Sequence, residues 1–112
     1  MLNKNTEEYR YKIACAMPEA ELLQNIKTLA NYLGWTGIYH TWRSDHSEAG
    51  YPDLTMFHPE QKRIIWVECK TSRRALAPAQ VKFHALIAEC GGEVYVWRPE
   101  DWLSGEIERK LK

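Results

Sequence analysis

The sequence lacks an excess of charge of either sign. Its 112 residues carry 15 basic and 15 acidic side chains, so the formal net charge is zero. A strongly basic balance usually marks a domain that binds nucleic acid tightly and without specificity, and that class is disfavoured here. An enzyme whose acidic site offsets a basic rim remains compatible with a neutral chain. With 45% apolar and 27% charged residues, the chain is expected to form one compact domain rather than a disordered segment.

Cysteine is scarce, and its pattern excludes two further classes. The three cysteines are Cys15, Cys69 and Cys90, and no CxxC pair occurs. An odd count without such a pair favours neither a disulfide framework nor a structural zinc site. We therefore expect a reducing compartment, with each cysteine acting as a small buried hydrophobe.

Long apolar runs are also absent. No stretch approaches the roughly 20 apolar residues that span a bilayer. The opening residues, MLNKNTEEYRYK, contain no apolar signal-peptide segment. These observations predict a cytoplasmic protein without a membrane partner.

The apolar spacing predicts an α/β fold in the order helix, three strands, helix, strand, helix. Helices are expected over 18–33 and 78–90, and a short last helix is expected to begin at Pro99. The strands are expected over 35–42, 53–58, 63–69 and 93–98. A hairpin followed by a strand–helix–strand crossover implies a mixed β-sheet flanked by helices. Residues 1–17 show weak periodicity and are assigned to an N-terminal arm, and residues 18–112 to a single domain.

The most informative segment is GYPDLTMFHPEQKRIIWVECK, from Gly50 to Lys70. A hairpin turn centred between Glu60 and Gln61 would place Asp53 directly opposite Glu68. Opposed Cβ atoms lie about 5 Å apart, so the two carboxylates could share one divalent cation. Side chains alternate along a strand, and Lys70 therefore lies on the Glu68 face.

These residue types suit metal-assisted hydrolysis of a phosphodiester. Asp53 and Glu68 would supply carboxylate oxygens to a Mg²⁺-type ion, and the Cys69 carbonyl could supply a third oxygen. Lys70 would orient the attacking water or stabilise developing negative charge. Each residue also has a plainer interpretation: Asp53 as a turn acid after Pro52, and Glu68 with Lys70 as a surface ion pair.

The motifs GYPD, VECK, LAPAQ and GGEVYVWR resemble those of the VRR-NUC (virus-type replication-repair nuclease) domain of the PD-(D/E)xK nuclease superfamily. The resemblance covers roughly residues 19–98 and implies a restriction-endonuclease-like core. It implies a DNA endonuclease using Mg²⁺ or Mn²⁺, with Asp53, Glu68 and Lys70 at the metal and catalytic positions. The small stand-alone members occur in phages and bacteria. They are similar to Holliday-junction resolvases, which implies a homodimer and branched DNA.

Two helix residues are assigned to the site through this resemblance. Gln80 matches a family glutamine that holds the lysine end of the site or contacts the scissile phosphate, and its alternative role is that of a capping residue of its helix. Family members also place a glutamate in the first helix near the metal. Glu21 is chosen for that position, with Glu19 as its rival, and either could instead be a charge that favours the helix N-terminus.

The expected DNA-binding side chains are Arg43, Arg73 and Arg74, which lie in the two polar loops beside the predicted site. Contacts from such residues to phosphates fix position rather than read sequence. His84, on the second predicted helix, is interpreted as a packing residue.

Three classes of function remain open at this point. The preferred one is a metal-dependent DNA endonuclease acting on branched DNA, and a nonspecific or partner-activated nuclease is its nearest alternative. A noncatalytic DNA-binding module gains nothing from carboxylates beside phosphates. A structural or assembly protein would bind no divalent ion.

Overall fold

A computed structural model describes residues 2–41 and 48–112. In chain order the elements are α1 (Leu2–Ala16), α2 (Glu19–Tyr32), β1 (Thr36–His40), β2 (Leu54–His58), β3 (Arg63–Cys69), α3 (Pro78–Glu89), β4 (Glu93–Trp97), α4 (Pro99–Leu103) and α5 (Glu106–Leu111). The predicted α/β class is confirmed. Within the described ranges, no helix has both the length and the apolar character that crossing a membrane requires.

The four strands form one mixed sheet in the order β1-β2-β3-β4. The β1/β2 and β2/β3 pairs are antiparallel, whereas β3 and β4 are parallel. Parallel neighbours need a crossover connection, and α3 supplies it. The sheet with its flanking helices is compatible with the restriction-endonuclease-like core that was predicted.

The β2–β3 hairpin has the predicted register. Its paired residues include Leu54 with Val67, Met56 with Ile65 and His58 with Arg63, so the turn is centred between Glu60 and Gln61. One step beyond the first of these pairs, the same register sets Asp53 against Glu68.

The main core lies on one face of the sheet. Leu54, Met56, Ile65 and Val67 are fully buried there, together with Leu22 and Ile26 of α2 and Ile107 and Leu111 of α5. Trp35 closes this core, and its indole Nε1 donates a hydrogen bond to the Leu111 carbonyl at 2.9 Å.

Helix α3 packs on the opposite face. The Phe83 ring meets Tyr51 edge-on with centroids 5.3 Å apart, and Trp66 Nε1 donates to the Tyr51 hydroxyl at 2.9 Å. By strand alternation, Glu68 and Lys70 share the Trp66 face, so they lie between the sheet and α3.

Two elements differ from the expected pattern. The residues assigned to an N-terminal arm form α1, which contacts α4. The single last helix is divided into α4 and α5 because Gly105, with a φ of 84°, adopts a left-handed conformation that interrupts helical geometry.

The expectation for the cysteines was right only for Cys69, which is completely buried. Cys15 and Cys90 are exposed. Cys15 lies in the last turn of α1, and Cys90 lies at the end of α3. The apolar periodicity of the sequence did not require either residue to be buried.

Candidate active site

Asp53 and Glu68 are brought together at the ends of β2 and β3. Their side chains are only 6% and 2% exposed. The Asp53 carboxylate accepts a hydrogen bond from the Cys69 backbone N–H at 2.8 Å, and its own carbonyl accepts one from the Thr41 N–H at 2.8 Å. Asp53 is therefore held on both its side-chain and backbone atoms.

The electrostatic surroundings of Glu68 oppose its ionisation. Burial is the largest cause, followed by the charge of Asp53 and a hydrogen bond to it, and together they raise the pKa of Glu68 to about 8. The Lys70 ammonium lowers this pKa, whereas the Glu19 carboxylate raises it further. Glu68 Oε1 has no hydrogen-bond partner among the described residues. A proton or a cation at this position would relieve the repulsion.

Lys70 is buried beside this pair, with 6% of its surface exposed. Its backbone N–H donates to the Trp97 carbonyl at 3.0 Å, which extends the parallel β3–β4 pairing by one residue. Two carboxylates and one ammonium group thus occupy a site largely removed from water. When both carboxyl groups are ionised, the balance of these three charges is negative.

Gln80 makes two side-chain hydrogen bonds, one at the start of α3 and one to Glu68. Its Oε1 accepts a hydrogen bond from the Ala77 N–H at 2.7 Å, which caps the start of α3. Its Nε2 donates to Glu68 Oε2 at 3.0 Å. Because a backbone N–H can only donate, the amide oxygen must face Ala77, and the NH₂ group must face Glu68.

In α2, which corresponds to the first predicted helix, the structure places Glu19 rather than Glu21 near the site. Glu19 is partly buried, and its carboxylate is close enough to affect the pKa of Glu68. Glu21 is exposed. The side chains of residues two positions apart on a helix point in directions that differ by about 200°, so only one of Glu19 and Glu21 can face the sheet.

The loop after Lys70 contains Arg73 and Arg74, which are both exposed. Arg98 holds this loop, because its Nη1 donates to the carbonyls of Thr71 at 2.7 Å and Arg74 at 2.6 Å. Arg43 lies outside the described residues. The DNA-binding role of all three predicted arginines stays a prediction.

His84 is the residue whose position the sequence interpretation missed. It is 9% exposed, and its Nε2 is buried without a hydrogen-bond partner in the described part of the chain. Burial lowers its pKa, the charge of Asp53 opposes that change, and the charge of Lys70 adds to it. His84 follows Gln80 by four residues, so the i,i+4 spacing in AQVKFH was the signal that both face the site.

A divalent cation is compatible with this donor set. Across residues 2–41 and 48–112, no three His, Cys, Asp or Glu side chains are arranged to hold a metal ion. Mg²⁺, however, is commonly bound by one or two carboxylates while it retains several waters. Asp53 and Glu68 could hold such an ion, which would offset the repulsion between the two carboxylates when both are ionised. The Cys69 carbonyl as third ligand stays a prediction.

The mixed sheet, its flanking helices and the D…E-x-K site at the strand ends are those of a restriction-endonuclease-like nuclease core. Comparison with protein families gives the narrower assignment: the VRR-NUC domain matches residues 3–100 of the 112. The chain therefore belongs to the VRR-NUC domain family, a family of nucleases, as its motifs predicted. No curated protein and no solved structure matches the chain.

Proposed function

We propose that this chain is a divalent-metal-dependent DNA endonuclease that prefers branched DNA such as Holliday junctions. One observation carries the proposal. The hairpin register opposes two buried carboxylates, Asp53 and Glu68, and Lys70 is buried on the same strand face. A structural protein has no need of this arrangement, because bringing like charges together away from water opposes folding.

In this proposal Asp53 and Glu68 bind Mg²⁺ or Mn²⁺. When bound, the ion neutralises charge on the phosphoryl group and activates a water for attack on phosphorus. Gln80 fixes the orientation of Glu68 through its 3.0 Å hydrogen bond. The Lys70 ammonium stabilises the negative charge that develops on the phosphoryl oxygens as the bond to the leaving oxygen breaks.

The DNA would approach across the rim of the site. Arg73 and Arg74 lie just after Lys70 in the chain and can contact phosphates on one side. On another side, a cleft of about 470 Å³ is lined by Glu19, Lys27 and His40, among others. Such a rim would position the DNA backbone without contacting the bases, which agrees with selection by DNA shape rather than by sequence.

The preference for branched DNA and the homodimer are supported by symmetry and by the resemblance to resolvases. A four-way junction presents two equivalent strands, and paired cuts need two active sites related by a two-fold axis. Within residues 2–41 and 48–112, one chain supplies a single site of this kind.

The test is cleavage of end-labelled DNAs in Mg²⁺, Mn²⁺ or EDTA. The panel holds a four-way junction, a flap, a nicked duplex, a linear duplex and a single strand. Lys70→Met should reduce metal-dependent cleavage by about 10²–10³-fold, because it removes a charge that stabilises the transition state. Lys82→Met, on the exposed surface of α3, is the matched control and should retain activity.

Paired cuts in the junction that need metal and Lys70 would support the whole proposal. Metal-dependent cleavage of the other DNAs alone would support the assignment as a nuclease and contradict the proposed preference for junctions. If no DNA is cut, the choice falls to a partner-activated nuclease or a DNA-binding module, which pull-down of a partner separates.

A further inference from the structure

Three buried polar atoms lack hydrogen-bond partners among the described residues: Thr55 Oγ1, Glu68 Oε1 and His84 Nε2. Thr55 is paired with Trp66 in the hairpin. Paired residues point to the same face of a sheet, and Trp66 and Glu68 share a face by alternation. The Thr55 hydroxyl and the Glu68 carboxyl therefore both lie on the α3 side of the sheet.

His84 reaches the same region from α3. It is one helical turn beyond Gln80, whose amide donates to the other oxygen of Glu68, Oε2. The charges of Asp53 and Lys70 both act on His84, which agrees with its position beside these residues. The unpaired atoms thus come from three elements, β2, β3 and α3, on the same side of the sheet as the carboxylate pair.

We propose that His84 is a positioning residue of this site. Together with Thr55, it orients the inner oxygen of Glu68 through one buried water. The inference deepens the proposed function and rests on it in one respect, that Glu68 is a metal ligand. Gln80 holds one oxygen of this carboxylate, and the His84–Thr55 pair holds the other.

The donors and acceptors balance. A buried water typically makes about three hydrogen bonds to polar groups that otherwise have no partner. It can donate to Glu68 Oε1 and to an unprotonated His84 Nε2, and it can accept from the Thr55 hydroxyl. His84 is then neutral with its proton on Nδ1. Residues that orient metal ligands in this way affect metal affinity although they do not touch the ion.

The first experiment measures Mn²⁺ affinity by calorimetry. His84→Leu removes the polar atom at similar volume and should raise the Kd for Mn²⁺ about tenfold. Thr55→Val should raise it in the same direction. His84→Gln can place a polar atom near the position of Nε2 and should restore most of the affinity. The control is His58→Leu, because His58 is also buried but bonds Leu33 and Gln61 backbone atoms at the opposite end of β2.

The second experiment needs no metal. In EDTA, the Tm changes caused by His84→Leu and Glu68→Gln should fail to add in the double variant, because both act on one hydrogen-bonded group. If His84→Leu does not fold, Thr55→Val combined with Glu68→Gln provides the same cycle.

Additive Tm changes, or unchanged Mn²⁺ affinity in a folded His84→Leu variant, would overturn the inference and leave His84 as a packing residue. Failure of the wild-type protein to bind Mn²⁺ and cut DNA would instead overturn the proposed function. The metal-free cycle would still decide whether His84 is coupled to Glu68.

Discussion

The Glu68 carboxyl group is buried and lies next to the Asp53 carboxylate. Its burial and the charge of Asp53 both favour the protonated form of Glu68. Its ordinary pKa of 4.5 is raised to about 8. The folded chain therefore keeps a proton that the unfolded chain releases, and the free energy of unfolding of the metal-free protein should fall as the pH rises from about 4.5 to about 8. Denaturation in EDTA across this range measures the slope.

Glu68→Gln should flatten that pH dependence, since glutamine carries no titratable proton. Glu108→Gln is a suitable control, because Glu108 is an exposed residue paired with Lys112 on α5. A metal-free wild-type protein whose stability is constant over this pH range would contradict the prediction.

At Gln80, one amide group serves both the helix cap and the site, and two substitutions separate these roles. Gln80→Ala removes both hydrogen bonds and should cost about 1–2 kcal/mol at any pH between 5 and 8. Gln80→Glu keeps an oxygen for the Ala77 N–H but places a carboxylate beside Glu68. Its cost should therefore grow as the pH rises from about 5 to 8. Urea denaturation at about pH 5 and pH 8 measures the loss of stability. An equal loss for Gln80→Glu at the two pH values would contradict this prediction.

At the scale of elements, the loop that leads into β2 is held against the start of α3. A Cβ at Gly50 would lie 2.3 Å from the Ala79 carbonyl oxygen, and Gly50 has a φ of 89°. Asp53 follows this contact in the chain by three residues, and Gln80 follows Ala79 directly. Gly50 thus sets the distance between the two elements that carry the site.

Gly50→Ala should therefore destabilise the protein by about 3 kcal/mol or more and reduce cleavage as well, because both steric overlap and backbone strain act. Gly91→Ala is the matched control: its φ is 82°, but an added Cβ meets nothing within 4 Å. It should cost only about 1–2 kcal/mol and leave activity unchanged. Thermal denaturation and cleavage assays compare the two variants. Equal losses of stability would contradict the prediction and show that only the backbone conformation of Gly50, not its contact with Ala79, requires glycine.

At the scale of the whole molecule, the prediction concerns two copies of the chain. A junction-cutting enzyme should sediment at twice the mass of one chain and cut two strands. When a limiting amount of wild type is mixed with excess Lys70→Met and allowed to exchange, the mixed dimers should nick one strand only. Sedimentation and end-labelled junctions measure this. A strictly monomeric protein that cuts linear duplex as well as junctions would contradict it.

Local sequence patterns were sufficient to predict the β2–β3 hairpin and the relative positions of the three charged residues that it carries. Strand alternation and a turn at Glu60–Gln61 were enough to oppose Asp53 and Glu68 and to put Lys70 on their face, because these relations depend only on local periodicity. The motifs predicted the family, and the apolar spacing predicted the α/β order.

Tertiary structure decided what depends on how elements pack. Glu19 rather than Glu21 is partly buried and affects the pKa of Glu68, because burial of Leu22 and Ile26 sets the rotation of α2 about its axis. His84 reaches the site only because α3 lies across the sheet, and periodicity alone could not separate a packing histidine from one beside the carboxylates. The sequence allowed Gln80 to be a cap or a site residue, and the packing of α3 gives it one hydrogen bond at the helix start and another to Glu68.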